Sequence, residues 1–85
     1  MARFELRFKR SVAKDFRGIS KPDVGRILEA MEALCDGPRP AGCEKLASQQ
    51  LYRIRQGTYR IIYSIDDVRI IVEVLKVGHR REVYR

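Results

Sequence analysis

The chain has 85 residues, 45% of them hydrophobic and 34% charged, a composition typical of one small globular domain and not of a disordered segment. Lysine and arginine number 18 against 11 acidic residues, and the net charge of +7 favours a nucleic-acid partner over a surface charged only for solubility. Two cysteines, Cys35 and Cys43, are too few for a zinc site, and a disulfide between them is not expected without other signs of an oxidising compartment.

No targeting signal is apparent in the sequence. The N-terminal residues lack the apolar core of a signal peptide, and no apolar run approaches the length of a membrane span. We therefore expect a cytoplasmic protein without membrane association, formed by a single domain over residues 1–85.

Charged and apolar side chains alternate along residues 3–8. This period of two predicts a strand with Phe4, Leu6 and Phe8 facing a core. Apolar residues then recur at helical spacing over residues 12–19, which predicts a short helix.

A second, longer helix begins near Ser20, which can cap free amide groups, and Pro22 suits its first turn. Its apolar residues recur every three or four positions and should pack in the core: Val24, Ile27, Leu28, Met31, Leu34 and Cys35. The helix should stop at residues 36–38, and a loop should lead from there to the strands.

Three strands follow in the second half of the chain, over residues 51–55, 59–65 and 68–77, with Gly78 ending the third. The links between them are short, so neighbouring strands should be antiparallel. The expected fold class is α+β: an N-terminal strand, two helices and a three-stranded antiparallel meander, with the helices packed on one face of the sheet.

Arginines converge on one face of this predicted meander. The alternation puts Arg53 and Arg55 on the outer face of its first strand and Arg60 on the same face of the second. More candidate residues follow at the end of the third strand, and we expect all six side chains to share one surface. The candidate catalytic set is Arg53, Arg55, Arg60, His79, Arg80 and Tyr84, and the candidate RNA-binding set is Arg53, Arg55, Arg60, Arg80 and Arg81.

Such a set is suited to cleaving RNA without a metal. The 2′-hydroxyl is then the nucleophile, and the site must supply a base, cations for the phosphorane and an acid for the leaving 5′-oxygen. Arginines bind phosphate oxygens well but accept protons poorly. His79 and Tyr84 are therefore the candidates for proton transfer, and Tyr84 could instead stack on a base. No metal site, phosphate-binding glycine loop or cofactor is expected.

Residues 59–63, Tyr-Arg-Ile-Ile-Tyr, and the ending Val77-Gly78-His79-Arg80 with Val83-Tyr84 resemble the RelE/ParE superfamily of bacterial and archaeal type II toxins. The resemblance covers essentially the whole chain. Similarity to the RelE branch implies a toxin that cuts mRNA in the ribosomal A site by 2′-hydroxyl attack without metal. Arg53 and Arg55 match two lysines of RelE, and Arg60, Arg80 and Tyr84 match two arginines and a tyrosine.

The lysines replaced here include the residue usually regarded as the base in RelE, and Arg55 is poorly suited to that role. The resemblance therefore leaves two alternatives. Either His79 has taken over proton transfer, as in some relatives, or cleavage is slower. The resemblance also implies a cognate antitoxin that wraps the toxin in a hetero-oligomer, with the ribosome and mRNA as further partners. The alternatives are a ParE-like, non-enzymatic inhibitor of DNA gyrase and a plain RNA-binding domain.

Overall fold

The computed structural model describes residues 3–46 and 50–79. A five-stranded mixed sheet and two helices make up the described fold, which confirms the α+β class. The helical elements are α1 (Val12–Asp15), continued by a 3₁₀ turn (Phe16–Gly18), and α2 (Lys21–Asp36). The strands are β1 (Glu5–Phe8), β2 (Glu44–Lys45), β3 (Leu51–Gln56), β4 (Tyr59–Asp66) and β5 (Ile71–His79).

The strand order is β1-β5-β4-β3-β2. Strands β3, β4 and β5 pair antiparallel in chain order, whereas β1 pairs parallel with β5. The two helices connect β1 to the strands of the second half of the chain. The two-residue strand β2 pairs antiparallel with β3 and lies in the segment that the sequence indicated as loop.

One face of the sheet carries the core. Alternate residues of β3 and β4 are buried there together with residues of both helices, in a single apolar cluster. In β5 the buried residues are Val72, Val74 and Val77, because the register with β4 shifts between Ile62 and Tyr63 and passes over Leu75. The fully buried side chains of the cluster include Val12, Ile27, Met31, Leu34, Ile61, Tyr63, Val72 and Val74. The burial of Ile27, Met31 and Leu34 follows from their three- and four-residue spacing on α2.

Two residues that were expected in the core are partly exposed instead. Phe8 is 45% exposed because it ends the edge strand β1, and Leu28 is 40% exposed on the flank of α2. With Phe16 they line an apolar groove of about 420 Å³. The expectation that Phe8 and Leu28 pack in the core is therefore wrong.

The limits of the third meander strand also differ from the expectation. The Asp66 carboxylate accepts hydrogen bonds from the backbone N–H groups of Val68 and Arg69, at 3.1 and 2.9 Å, and so forms a turn before β5 begins. At the other end Gly78 does not break the strand, since it pairs with Arg60 and β5 runs on to His79. Strand β5 therefore begins three residues later and ends two residues later than expected.

Local contacts at the ends of α2 were only partly foreseen. Ser20 occupies the N-cap position, but its hydroxyl donates to the Asp23 carboxylate at 3.0 Å and does not cap a backbone amide. Both cysteines are free thiols, and burial raises the pKa of Cys35. Within the parts of the chain described, neither helix has the length and apolar composition needed to cross a membrane.

Candidate functional site

The register of β3 and β4 brings three arginines together on the face of the sheet opposite the core. Arg55 lies directly opposite Arg60, and Arg53, opposite Ile62, is two residues along on the same face. Glu44 of β2 pairs with Arg53 and completes this surface at the edge of the sheet. We call the side chains of Glu44, Arg53, Arg55 and Arg60 the arginine face.

The three arginines differ in exposure. Arg60 is only 3% exposed, on the central strand between Arg55 and Gly78, whereas Arg55 is exposed. The Arg53 side chain is 12% exposed. Like charges on facing strands repel, and guanidinium groups keep their charge at physiological pH, so the cluster favours a bound anion.

Glu44 is the acidic member of the arginine face. Arg53 Nη2 donates to Glu44 Oε1 at 3.0 Å, and the Glu44 side chain stays 52% exposed. The pKa of Glu44 is lowered, mainly by this hydrogen bond and the charge of Arg53 and more weakly by Arg55 and Arg60. Sequence reasoning missed Glu44, because only the pairing of β2 with β3 brings it to the arginines.

His79 does not join the arginine face. It pairs with Tyr59, and both side chains lie on the core-side face of the sheet, where their rings meet edge to face with centroids 5.9 Å apart. Of the predicted set, Arg53, Arg55 and Arg60 therefore share one face of the sheet, whereas His79 lies on the opposite face. Arg80, Arg81 and Tyr84 lie outside the described residues.

A cavity of about 360 Å³ lies beside His79, on the core side of the sheet end. It is lined by Lys14, Asp15, Gly18, Ile19, Tyr59, Val77, Gly78 and His79. Strand β1 pairs with β5 only as far as Val74, and beyond that point Asp15 Oδ2 accepts the N–H of Val77 at 3.0 Å. This bond holds α1 against the open edge of β5 and so forms one wall of the cavity.

A cluster around Arg39 anchors the segment before β2. The Arg39 guanidinium lies 5.3 Å from the centre of the Tyr52 ring and donates to both carboxylate oxygens of Asp67, at 3.2 and 2.8 Å. This contact lowers the pKa of Asp67. Tyr63 donates to the Pro38 carbonyl at 2.7 Å, and burial raises the pKa of its phenol. The cluster fixes the segment that leads into β2, and with it the position of Glu44.

Metal binding was not expected from the sequence. Across residues 3–46 and 50–79, no three His, Cys, Asp or Glu side chains lie close enough together to hold a metal ion.

Comparison with known proteins gives one consistent family. A model described as the ParE toxin of a type II toxin-antitoxin system, parDE, matches residues 6–84. Toxin RelG of Mycobacterium tuberculosis is 47% identical over 34 residues, a stretch that covers 40% of this chain and 39% of that protein.

Two solved toxin-antitoxin complexes contain chains of similar fold. A chain of the RelBE2 complex of M. tuberculosis matches with a TM-score of 0.80 and 27% identity, over 92% of this chain and 99% of that chain. A chain of the archaeal RelE-RelB complex of Pyrococcus horikoshii OT3 matches with a TM-score of 0.81 and 29% identity, over 91% of this chain and 94% of that chain.

Proposed function

The chain belongs to the ParE toxin family of type II toxin-antitoxin systems, within the RelE/ParE superfamily, and on that premise we propose that it is a ribosome-dependent endoribonuclease. The observation that carries the proposal is the arginine face, where Arg55 and Arg60 lie opposite each other and Arg53 lies beside them. The proposed substrate is mRNA in the ribosomal A site, and the proposed place of action is the cytoplasm.

In the proposed reaction, the 2′-oxygen of one nucleotide attacks the adjacent phosphorus and the bond to the 5′-oxygen breaks. The products are a 2′,3′-cyclic phosphate and a 5′-hydroxyl, with one proton released from the 2′-hydroxyl and one taken up by the leaving oxygen. Arg53 and Arg55 hold the phosphate oxygens, and together with the buried charge of Arg60 they offset the charge of the phosphorane. These guanidinium groups supply the positive charge at phosphorus, so the proposed chemistry does not call for a metal ion.

We assign the role of proton acceptor to Glu44, because its carboxylate is hydrogen-bonded to Arg53 on the same face as the phosphate site. A phosphate that binds Arg53 competes with Glu44 for the guanidinium, which leaves the carboxylate next to the reacting 2′-hydroxyl. The roles predicted from the sequence for His79, Arg80 and Tyr84 remain predictions. A pH–rate profile tests this assignment, since a carboxylate whose pKa is lowered gives a rising limb that lies well below neutral pH.

Cleavage by purified protein on translating ribosomes tests the proposal. We expect primer extension to map cuts within the A-site codon, and Arg55→Ala to lower their rate by roughly 10²- to 10³-fold, the usual effect of removing one group that stabilises transition-state charge. Arg69→Ala is the matched control, because Arg69 is an exposed arginine at the β4–β5 turn. The proposal is wrong if the wild-type protein makes no A-site cuts, or if Arg55→Ala cuts as fast as the control.

The second candidate function is inhibition of DNA gyrase, which is favoured by the ParE description of the matching family model. A gyrase inhibitor of this fold would not need the arginine face. A supercoiling assay discriminates between the two functions. Inhibition of gyrase by the wild-type protein, unchanged in Arg55→Ala and without RNA cleavage, would replace the endoribonuclease proposal.

We also propose a cognate antitoxin as partner, since the M. tuberculosis and P. horikoshii complexes both pair a toxin with an antitoxin. The apolar groove with the exposed Phe8 and Leu28 is suited to covering by a partner's apolar side chains. Co-expression with the product of the adjacent reading frame should give a complex that co-purifies. Leu28→Lys should weaken this complex, because it places a charge in the apolar groove. Stable expression of the active toxin alone, without growth arrest, would contradict this proposal.

A further inference from the structure

The cavity beside His79 is not used by the proposed chemistry. Its volume of about 360 Å³ lies within the range of small-ligand sites, roughly 300–1,000 Å³. We propose that this cavity, here called the base pocket, binds one nucleobase of the RNA next to the phosphate held on the arginine face. The inference rests on the proposed function, because it assigns a second contact to the same RNA strand.

The position of the base pocket supports this assignment. The pair Tyr59–His79 is the row of the sheet next to the pair Arg60–Gly78, and successive residues of a strand point to opposite faces. The base pocket and the arginine face are therefore on opposite sides of the same end of the sheet. A single RNA strand that crosses this end reaches the arginine face with its phosphate and the base pocket with a neighbouring base.

The side chains of the base pocket match the chemistry of a nucleobase. Tyr59 and His79 offer aromatic surface at the pocket wall, on which bases stack with little dependence on sequence. Lys14 adds a positive charge for the phosphate of the same nucleotide.

Asp15 adds selectivity among bases. Its Oδ2 accepts the Val77 N–H, and its Oδ1 is 3.9 Å from Lys76 Nζ, which is beyond hydrogen-bond distance. A carboxylate has further acceptor capacity, and it pairs with exocyclic amino groups of bases. The base pocket should therefore prefer adenine, cytosine and guanine over uracil.

Gly18 provides a way to block the base pocket without removing any of these groups. A Cβ atom built on Gly18 meets no other atom within 4 Å, so a larger side chain is tolerated at this lining position, and we expect a leucine there to reduce the space for a base. Gly25 of α2 also has nothing within 4 Å of a built Cβ and does not line the pocket, which makes it the matched control position.

The test is an NMR titration of the full-length protein with each of the four 5′-mononucleotides, with ribose 5-phosphate as the probe that lacks a base. We expect saturable shifts of the amide signals of Gly18, Ile19 and Tyr59 with AMP, CMP and GMP, and weaker ones with UMP. Gly18→Leu should weaken binding at least tenfold, on the order of one stacking interaction, whereas Gly25→Leu should not change it. Should Gly18→Leu fail to fold, His79→Ala gives a second variant with the same expected reduction.

Three results would overturn the inference: ribose 5-phosphate acting as strongly as AMP, binding unaffected by both Gly18→Leu and His79→Ala, or pocket signals that respond to antitoxin and to no nucleotide. The first indicates a simple anion site and the last a protein interface. Failure of the proposed function would give a different result from failure of the base pocket. In that case nucleotides would bind the base pocket, but the protein would not cleave RNA on ribosomes. Cleavage on ribosomes by a protein whose pocket takes no nucleotide would reject the base pocket alone.

Discussion

Glu44 and Arg53 form an ion pair in which the two side chains differ in their exposure to solvent. The Arg53 side chain is 12% exposed, whereas that of Glu44 is 52% exposed, so the carboxylate can move away from Arg53 while the guanidinium stays in place. An incoming phosphate can therefore displace Glu44 without rearranging β3. In the proposed function, this pair is a preformed phosphate site that holds its own counter-ion.

The ion pair of Glu44 and Arg53 leads to a prediction about how the stability of the fold depends on pH. Because the folded-state pKa of Glu44 is lowered from 4.5, the carboxylate stabilises the fold above that value, and the stabilisation disappears as the pH falls through the folded-state pKa. Glu44→Gln should thus be slightly less stable than the wild type at neutral pH, since solvent screens an exposed pair, and equally stable in strong acid. Urea unfolding at both pH values measures the difference, with Glu29→Gln of α2 as control. A deficit of equal size at both pH values would show that the ion pair is not its cause.

At the scale of elements, the β4–β5 turn shows where local hydrogen bonds override strand propensity. Residues 68–71 are rich in β-branched side chains, which predicted a strand from Val68 onwards. The Asp66 carboxylate instead accepts hydrogen bonds from two backbone N–H groups of this run, and Ile70 adopts a φ of 60°. Helix α2 was predicted well because its signal is a local spacing. By contrast, β2 consists of two residues whose strand conformation depends on pairing with β3, and no local pattern encodes that pairing.

The left-handed conformation of Ile70 can be tested by substitution. A β-branched residue there is strained by about 1–3 kcal/mol, and glycine relieves that strain at an entropic cost of about 0.5–1 kcal/mol. Ile70→Gly should therefore leave the free energy of unfolding unchanged or raise it by up to about 2.5 kcal/mol. Ile71→Gly is the control, because Ile71 is an extended residue of β5 and its replacement should cost about 2 kcal/mol. Equal destabilisation of both variants in urea unfolding would contradict the strained turn.

For the molecule as a whole, the sequence predicted the three arginines of the arginine face, but neither Glu44 nor the side of the sheet on which His79 lies. Arg53, Arg55 and Arg60 follow from a period of two within uninterrupted strands. The side taken by His79 depends on the register of β5 with β4, which shifts by one residue between Ile62 and Tyr63, so that Gly78 lies opposite Arg60 and His79 opposite Tyr59. A shift of one residue in register would exchange the two faces, and the sequence around Gly78 indicated a break and not a continued strand.

The net charge of +7 raises the question of whether the proposed RNA substrate is held by the whole surface or by the arginine face. On single-stranded RNA, removing one cation that neutralises a phosphate should lower the slope of log affinity against log salt by about 0.7. If Arg53 and Arg55 each hold a phosphate, their double alanine variant should lower the slope by about 1.4.

The control for this experiment removes the same charge elsewhere. Arg26→Ala/Arg69→Ala replaces two exposed arginines, one on α2 and one at the β4–β5 turn, that lie outside the arginine face. Fluorescence anisotropy with a labelled oligoribonucleotide over a range of salt concentrations measures both slopes. The control variant should weaken RNA binding only slightly and keep the wild-type slope, because these two arginines act only through the electrostatic field of the whole protein. An equal decrease in slope for the two double variants would mean that RNA is bound diffusely, and the arginine face would then have no special role in holding it.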